Sequence, residues 1–321
     1  MKLLLQHHHS MILEGLKLLE RLVISADNLH SDICFFIASS NIKENATELN
    51  QDSSKNVIDS NSTVILELVK SLNQSLNILA MNIENSLVND RWIWEAKKLI
   101  IRIEMDTTSK ARKELSTKMN GLYVIVDSNQ TRGKPIEEVT ERALSGGASV
   151  IQLRDKVADK GKLLIAAKKI QLLCRQYGAL FIVNDHADLA KIVASDGLHL
   201  GQNDLPVNEA RELLGNTQLI GTSNSTVQES MDGERNGADY LAVGSIFPTN
   251  TKKNTRPSSI EVIRRLKETS TLPIVAIGGI NESNIKQVVH SGADCVCVIT
   301  AVTLADNPEK AASNLIKLMS I

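Results

Sequence analysis

The chain has 321 residues, 42% hydrophobic, 23% charged and only 3% aromatic, with a formal net charge of −1. That length predicts one large or two medium domains. The balanced charge and scarce aromatics argue against nucleic-acid partners, and no apolar run reaches the length of a membrane span, so neither nucleic acid nor membrane is an expected partner. A signal-peptide cleavage pattern is lacking, and Cys34, Cys174, Cys295 and Cys297 show no metal or redox spacing, so a reducing, cytoplasmic setting is expected.

Residues 1–118 form the first predicted domain, small and all-α. They contain one glycine, Gly15, and no proline. Apolar residues recur at helical spacing over Met11–Ile24, Val64–Ile83 and Ile93–Ile103. Between the first two runs, Ser39–Ser62 is rich in Asn, Ser, Asp and Lys and is expected to be a loop. His7, His8 and His9 cannot all face one point on a helix, so a frayed terminus is expected there rather than a metal site. Trp92 and Trp94 read as packing residues. Lys110–Lys118 reads as a charged helical linker with a solvated face. No activity is legible in this region, which suits an interaction or oligomerisation role.

From residue 119 the pattern changes and holds to the end. Strand-like runs are Leu122–Val126, Val150–Leu153, Leu180–Val183, Gly197–Leu200, Gln218–Gly221, Tyr240–Ser245, Ile274–Ile277 and Cys295–Ile299. Amphipathic helical runs follow each: Glu137–Leu144, Lys162–Tyr177, Ala187–Ala194, Asn208–Leu214, Val227–Asn236, Ser259–Thr269, Glu282–His290 and Pro308–Met319. Such alternation implies parallel strands with right-handed crossovers, and eight units over 119–321 predict a (β/α)8 TIM barrel, an α/β fold. Cys295 and Cys297, two apart, share one strand face as small hydrophobes. Gly146-Gly147, Gly237 and Gly292 follow helices and read as left-handed caps at the bottom of the barrel.

In this fold the chemistry lies at the carboxyl ends of the strands. The second strand ends Gln152-Leu153-Arg154-Asp155-Lys156, a guanidinium fork and a point charge that suit a polyphosphate or, equally, a surface ion-pair cluster. The third ends Asn184-Asp185 and the fourth leads to Asp204. Two carboxylates at neighbouring strand ends are costly unless they hold a cation or share a proton; the alternative is two helix-capping aspartates. The fifth ends Gly221-Thr222-Ser223, a small polar set. After the sixth come Thr249, Asn250, Thr251 and Lys252, an anion clamp or ordinary loop chemistry. The seventh ends Gly278-Gly279 at a helix start, where exposed N–H groups form a ready phosphate site. The eighth ends Ile299-Thr300. His199 lies inside a strand and reads as a packed group rather than a base. The mouth therefore offers two anion regions, one with carboxylates, Arg and Lys, the other with Gly-Gly and Thr.

Together these stretches resemble the thiamine phosphate synthase (thiamin-phosphate pyrophosphorylase) family: QLRDK (152–156), ND (184–185), GLHLGQNDLP (197–206), GTS (221–223), VGSIFPTNTKK (243–253), AIGGI (276–280) and VIT (298–300). They span residues 120–321, about two-thirds of the chain. The resemblance implies that Gln152, Arg154, Lys156 and Asn184 bind an aminopyrimidine diphosphate. It implies that Asp185 and Asp204 hold Mg²⁺ and that Ser223 contacts the pyrimidine. Thr249, Thr251, Lys252, Gly279, Ile299 and Thr300 would cradle a thiazole phosphate, plain or carboxylated. Leu153, Asp155 and Asn250 fall inside the same substrate-binding stretches. Arg154, Lys156, Ser223 and Lys252 are the expected catalytic groups. The implied reaction joins the two rings with loss of diphosphate through a pyrimidine-methyl cation; a homo-oligomer is compatible with it.

The sequence departs from the family at Thr300, often Ser, and at Ser225, often His. The helical first third lies outside the family core. Two rival readings are a thiazole tautomerase-like relative, which uses a histidine near the fifth strand, and a non-catalytic phosphate-binding protein. Intact Asp185, Asp204 and Arg154 oppose both.

Overall fold

A computed structural model of the chain describes residues 2–22, 32–34, 36–37, 62–82, 89–249 and 256–320. Of the expected loop Ser39–Ser62, residues 39–61 lie outside the described residues, as do Asn250, Thr251, Lys252 and Lys253, while Ser62 opens a helix. The chain divides into two compact units, Met1–Ala111 and Arg112–Ile321. The division precedes the boundary read from sequence at 118/119.

The first unit is helical, with long helices Lys2–Leu22 and Ser62–Met81 and most of Asp90–Ser116. Each places apolar residues on one stripe: Ile12, Leu16 and Leu19; Leu72, Leu76 and Leu79; Ile93, Ile100 and Ile103, all buried in one core. The histidine run is not frayed. It lies in the first helix, where His9 is buried against the Trp92 ring and His8 Nδ1 is 3.3 Å from Ser75 Oγ. Trp94, expected to pack, is instead exposed, with Lys98 Nζ 5.1 Å from its ring centroid.

The second unit is a closed barrel of eight parallel strands in sequence order. They are β1 (Gly121–Asp127), β2 (Val150–Arg154), β3 (Leu180–Asn184), β4 (Gly197–Leu200), β5 (Leu219–Asn224), β6 (Tyr240–Val243), β7 (Ile274–Ile277) and β8 (Cys295–Val298). The period-2 alternation of a strand sorts residues to two cores. Leu122, Val124 and Val126 of β1 pack outward under the helices, while Tyr123 and Ile125 point into the barrel. On β8, Cys295 and Cys297 are buried inside and Val296 and Val298 outside, as their spacing predicts. None of the four cysteines is in a disulfide. Helices Ile136–Ser145, Lys160–Tyr177, Ala187–Val193, Val207–Leu213, Val227–Arg235, Ile260–Thr269, Ile285–Val289 and Pro308–Met319 follow the eight strands. Gly147, Gly237 and Gly292 take φ of +99°, +92° and +90°, the left-handed turns expected after three of these helices.

Residues 112–119 differ from the solvated linker read from sequence. Arg112 Nε donates to Asp239 Oδ1 at 3.1 Å, and Arg211 pairs with the same carboxylate at 2.5 Å. Leu115 and Met119 pack against the barrel's interior core, with Met119 buried. Leu115 is one apolar residue inside the charged run and Met119 stands just past it, beyond the helix end at Ser116, so neither forms a periodic stripe. None of the described helices is long and apolar enough to cross a membrane.

Candidate active site

Strand parity decides which side chains reach the mouth. On β2, Val150 and Gln152 point inward, so Arg154 does too, while Leu153 packs outward into the helix-facing core. A cavity of about 660 Å³ opens at the carboxyl ends of the strands, with Gln152, Arg154, Asn184, His199 and Ser223 among its lining residues. Thr249, Gly279, Ile299 and Thr300 also line it. The structure thus brings eight of the sequence-predicted site residues to one hollow, together with His199, which the sequence reading took as a packed group. Leu153, Asp155, Lys156, Asp185 and Asp204 do not line the hollow. The Asp155 carboxylate accepts the Val157 and Ala158 N–H groups at 2.9 and 2.8 Å, folding the loop after β2. Burial alone would raise that carboxyl, but bonds from Ser128 and from those two backbone groups hold it below its usual range.

Arg154 joins the hollow to a charged cluster at the ends of β1, β2, β3 and β4, and is the member of that cluster that lines the cavity. Arg154 pairs with Asp127, the last residue of β1, whose side chain is 3% exposed. Sequence reading missed Asp127. Its signal was an acidic residue closing the first strand of a barrel, the one strand end left unread. Lys156 Nζ lies 3.2 Å from Asp185 Oδ2. Burial, then a hydrogen bond shared with Asp185, raises the Asp204 carboxyl above its usual range. Asp204 Oδ2 also accepts the Gly201 N–H at 2.7 Å. Neither aspartate caps a helix. Ala187–Val193 is preceded by His186 and Val207–Leu213 by Pro206, with no side-chain cap bond at either. Asp185 is held at φ +59°, a left-handed conformation that costs a non-glycine residue about 1 kcal/mol or more and persists at functional sites.

The other end is backbone. Gly278 and Gly279 take φ of +106° and +64° directly after β7. A Cβ on Gly279 would lie 2.5 Å from the Pro248 carbonyl oxygen, so the turn admits only glycine. β8 is followed by a short helix, Thr300–Thr303, that sequence reading did not place. Arg256, also unforeseen, lines the cavity and pairs with Glu229. It stands beyond the motif that ends at Lys253, in a polar run with no pattern to single it out.

The floor of the hollow is polar. Gln152, Tyr123, Tyr240, His199 and Ser223 are joined through their side chains across the barrel interior. The large Tyr240 ring crosses there because Gly221 on β5 has no side chain, and a Cβ at 221 would meet the ring at 1.9 Å. In the Gly221-Thr222-Ser223 set, the glycine therefore makes room for a ring rather than donating to a ligand.

A family model described as thiamine monophosphate synthase matches residues 122–302. The chain belongs to the thiamine monophosphate synthase family. The thiamine-phosphate synthase of Shouchella clausii (strain KSM-K16) is 43% identical over 199 residues, 62% of this chain and 95% of that relative. That of Chlorobium luteolum is 46% identical over 200 residues, 62% of this chain and 92% of the relative. The structure of a thiamine phosphate pyrophosphorylase from Pyrococcus furiosus is 38% identical and superposes with a TM-score of 0.59, covering 64% of this chain and 98% of the other. Its enzymatic activity is accordingly thiamine-phosphate synthesis, a transferase reaction on phosphorylated small molecules. The match covers barrel residues alone, 122–302, so the helical first unit lies outside it.

Proposed function

We propose that the hollow binds 4-amino-2-methyl-5-(diphosphooxymethyl)pyrimidine at its cationic end and thiazole phosphate, plain or carboxylated, at its Gly-Gly end. The observation that carries this reading is the paired carboxylates, Asp185 and Asp204, beside Lys156 and one strand from Arg154. Lys156 offsets one acid of the pair, while Asp204, raised by burial and then by Asp185, is left with charge that a hard divalent cation would balance. Among the described residues no cluster of three or more His, Cys, Asp or Glu is present. Two protein carboxylates suit Mg²⁺, which completes its shell with phosphate oxygens and water.

Asp185 and Asp204 would hold Mg²⁺, which when bound neutralises charge on the diphosphate. Arg154, fixed by Asp127, and Lys156 stabilise the same leaving group. The carbon–oxygen bond to diphosphate breaks, leaving a cation on the pyrimidine methylene. The thiazole nitrogen then supplies the electron pair for the new carbon–nitrogen bond. With the plain thiazole phosphate no proton is transferred, so no general base is required. Gln152, Asn184 and Ser223 orient the pyrimidine; the Gly278-Gly279 turn and Thr300 anchor the thiazole phosphate, with Lys252 a further cation for either phosphate. Positioning supplies much of the acceleration. Ser225, one of the two departures from the family pattern, is a buried serine bonded to Glu229.

The test is a coupling assay on the purified chain. Both substrates with Mg²⁺ are expected to give thiamine phosphate and diphosphate in equal amounts, and EDTA to stop both. Product formed at full rate in EDTA would remove the metal from the account.

A further inference from the structure

The chain of side chains under the hollow has a direction. Gln152 Nε2 donates to Tyr123 Oη at 2.7 Å, the Tyr123 and Tyr240 hydroxyls are 3.4 Å apart, and Tyr240 Oη is 3.0 Å from His199 Nδ1. His199 Nε2 is 2.8 Å from Ser223 Oγ. Gln152, both tyrosines and His199 are all at least nine-tenths buried. Burial raises both phenols far above their usual value, so each keeps its single proton.

One proton per phenol links the ends of the wire. Tyr123 accepts from Gln152, so its proton goes to Tyr240; the Tyr240 proton goes to His199 Nδ1. Neutral His199 then carries its proton on Nε2 and donates it to Ser223. Two groups are left for the cavity: the Gln152 amide oxygen as an acceptor and the Ser223 hydroxyl proton as a donor. That pair complements an exocyclic amino group beside an unprotonated ring nitrogen. Turning the Gln152 amide over reverses every bond in the wire. It then shows a donor and an acceptor, the complement of a 4-oxo ring with a protonated nitrogen. A half-reversed wire leaves a buried polar group unpaired, which disfavours it against either fully aligned state.

We propose that Tyr123, Tyr240 and His199 are positioning residues that couple the hydrogen-bonding polarity of Gln152 to that of Ser223, and so set the choice of a 4-amino over a 4-oxo pyrimidine. The inference rests on the reading above that Gln152 and Ser223 face the pyrimidine.

The test uses Y240F and Y123F, each losing one oxygen and breaking the wire at a different link. The readout is the inhibition constant of the 4-oxo pyrimidine diphosphate divided by the KM of the 4-amino substrate. This ratio is expected to fall about tenfold or more in both variants, with the KM for thiazole phosphate unchanged. General loosening of the site would raise both pyrimidine constants and leave the ratio fixed. An unchanged ratio in either folded variant, checked by its melting curve, overturns the proposal. Q152A and S223A separate the two layers of the argument. If neither alters any pyrimidine constant, the placement of the ring itself is wrong and the wire has nothing to select. If both do while the tyrosine variants keep the wild-type ratio, only the wire is wrong.

Discussion

At the scale of single residues, the acidic pair and the half-buried arginine make separable predictions. Asp185→Asn and Asp204→Asn are each expected to lower magnesium-dependent turnover by about 10²-fold or more. Neither should lower the melting temperature, because each removes like-charge repulsion next to Asp204, whose carboxyl burial and Asp185 already raise. Steady-state rates and a thermal melt on the same samples check both halves. Asp127→Ala should behave differently. It strands the Arg154 guanidinium, which is 18% exposed, without its partner. A loss of about 3 kcal/mol in denaturant-measured stability is expected, with a rise in KM for the diphosphate substrate. A destabilised variant with unaltered KM would mean that Asp127 serves the fold and not the site.

At the scale of elements, alternation and strand-end chemistry were legible because both depend on residue type at fixed spacing. All eight strands and their following helices stand where the sequence places them, within a few residues. What escaped depended on parity and on long-range partners. Leu153 and Asp155 share the QLRDK stretch with Arg154, yet one faces the outer core and the other closes its own loop. Tyr123 and Tyr240 are 117 positions apart and meet only when the barrel closes. Gly221 shows the same limit. In sequence it is part of a small polar set; in the barrel it is the space filled by the Tyr240 ring. Gly221→Ala is therefore expected to lose about 2 kcal/mol or more by overpacking, read from a denaturant midpoint, and to disturb the pyrimidine KM through the displaced ring. Unchanged stability would show that the ring has another place to lie.

At the scale of the whole molecule, the barrel carries the family's match and its seat for chemistry, while the helical unit has its own core. Where the barrel begins matters. A fragment starting at Arg112 keeps the ion pair with Asp239 and the apolar contacts of Leu115 and Met119; one starting at Met119 loses Arg112 and Leu115. Both are expected to turn over substrate, with the shorter fragment less stable by roughly 2 kcal/mol. Equal melting curves would assign 112–118 no role in the barrel. The central claim is that two carboxylates hold a divalent cation against the pyrimidine's diphosphate. Calorimetric binding of the aminopyrimidine diphosphate, with and without Mg²⁺, to the wild-type chain and to Asp185→Asn addresses it most directly. Mg²⁺ is expected to tighten binding to the wild type by about 10-fold or more and to leave the variant's affinity nearly unchanged. Equal tightening in both proteins would contradict the assignment of Asp185 as a metal ligand and with it the account of how diphosphate leaves.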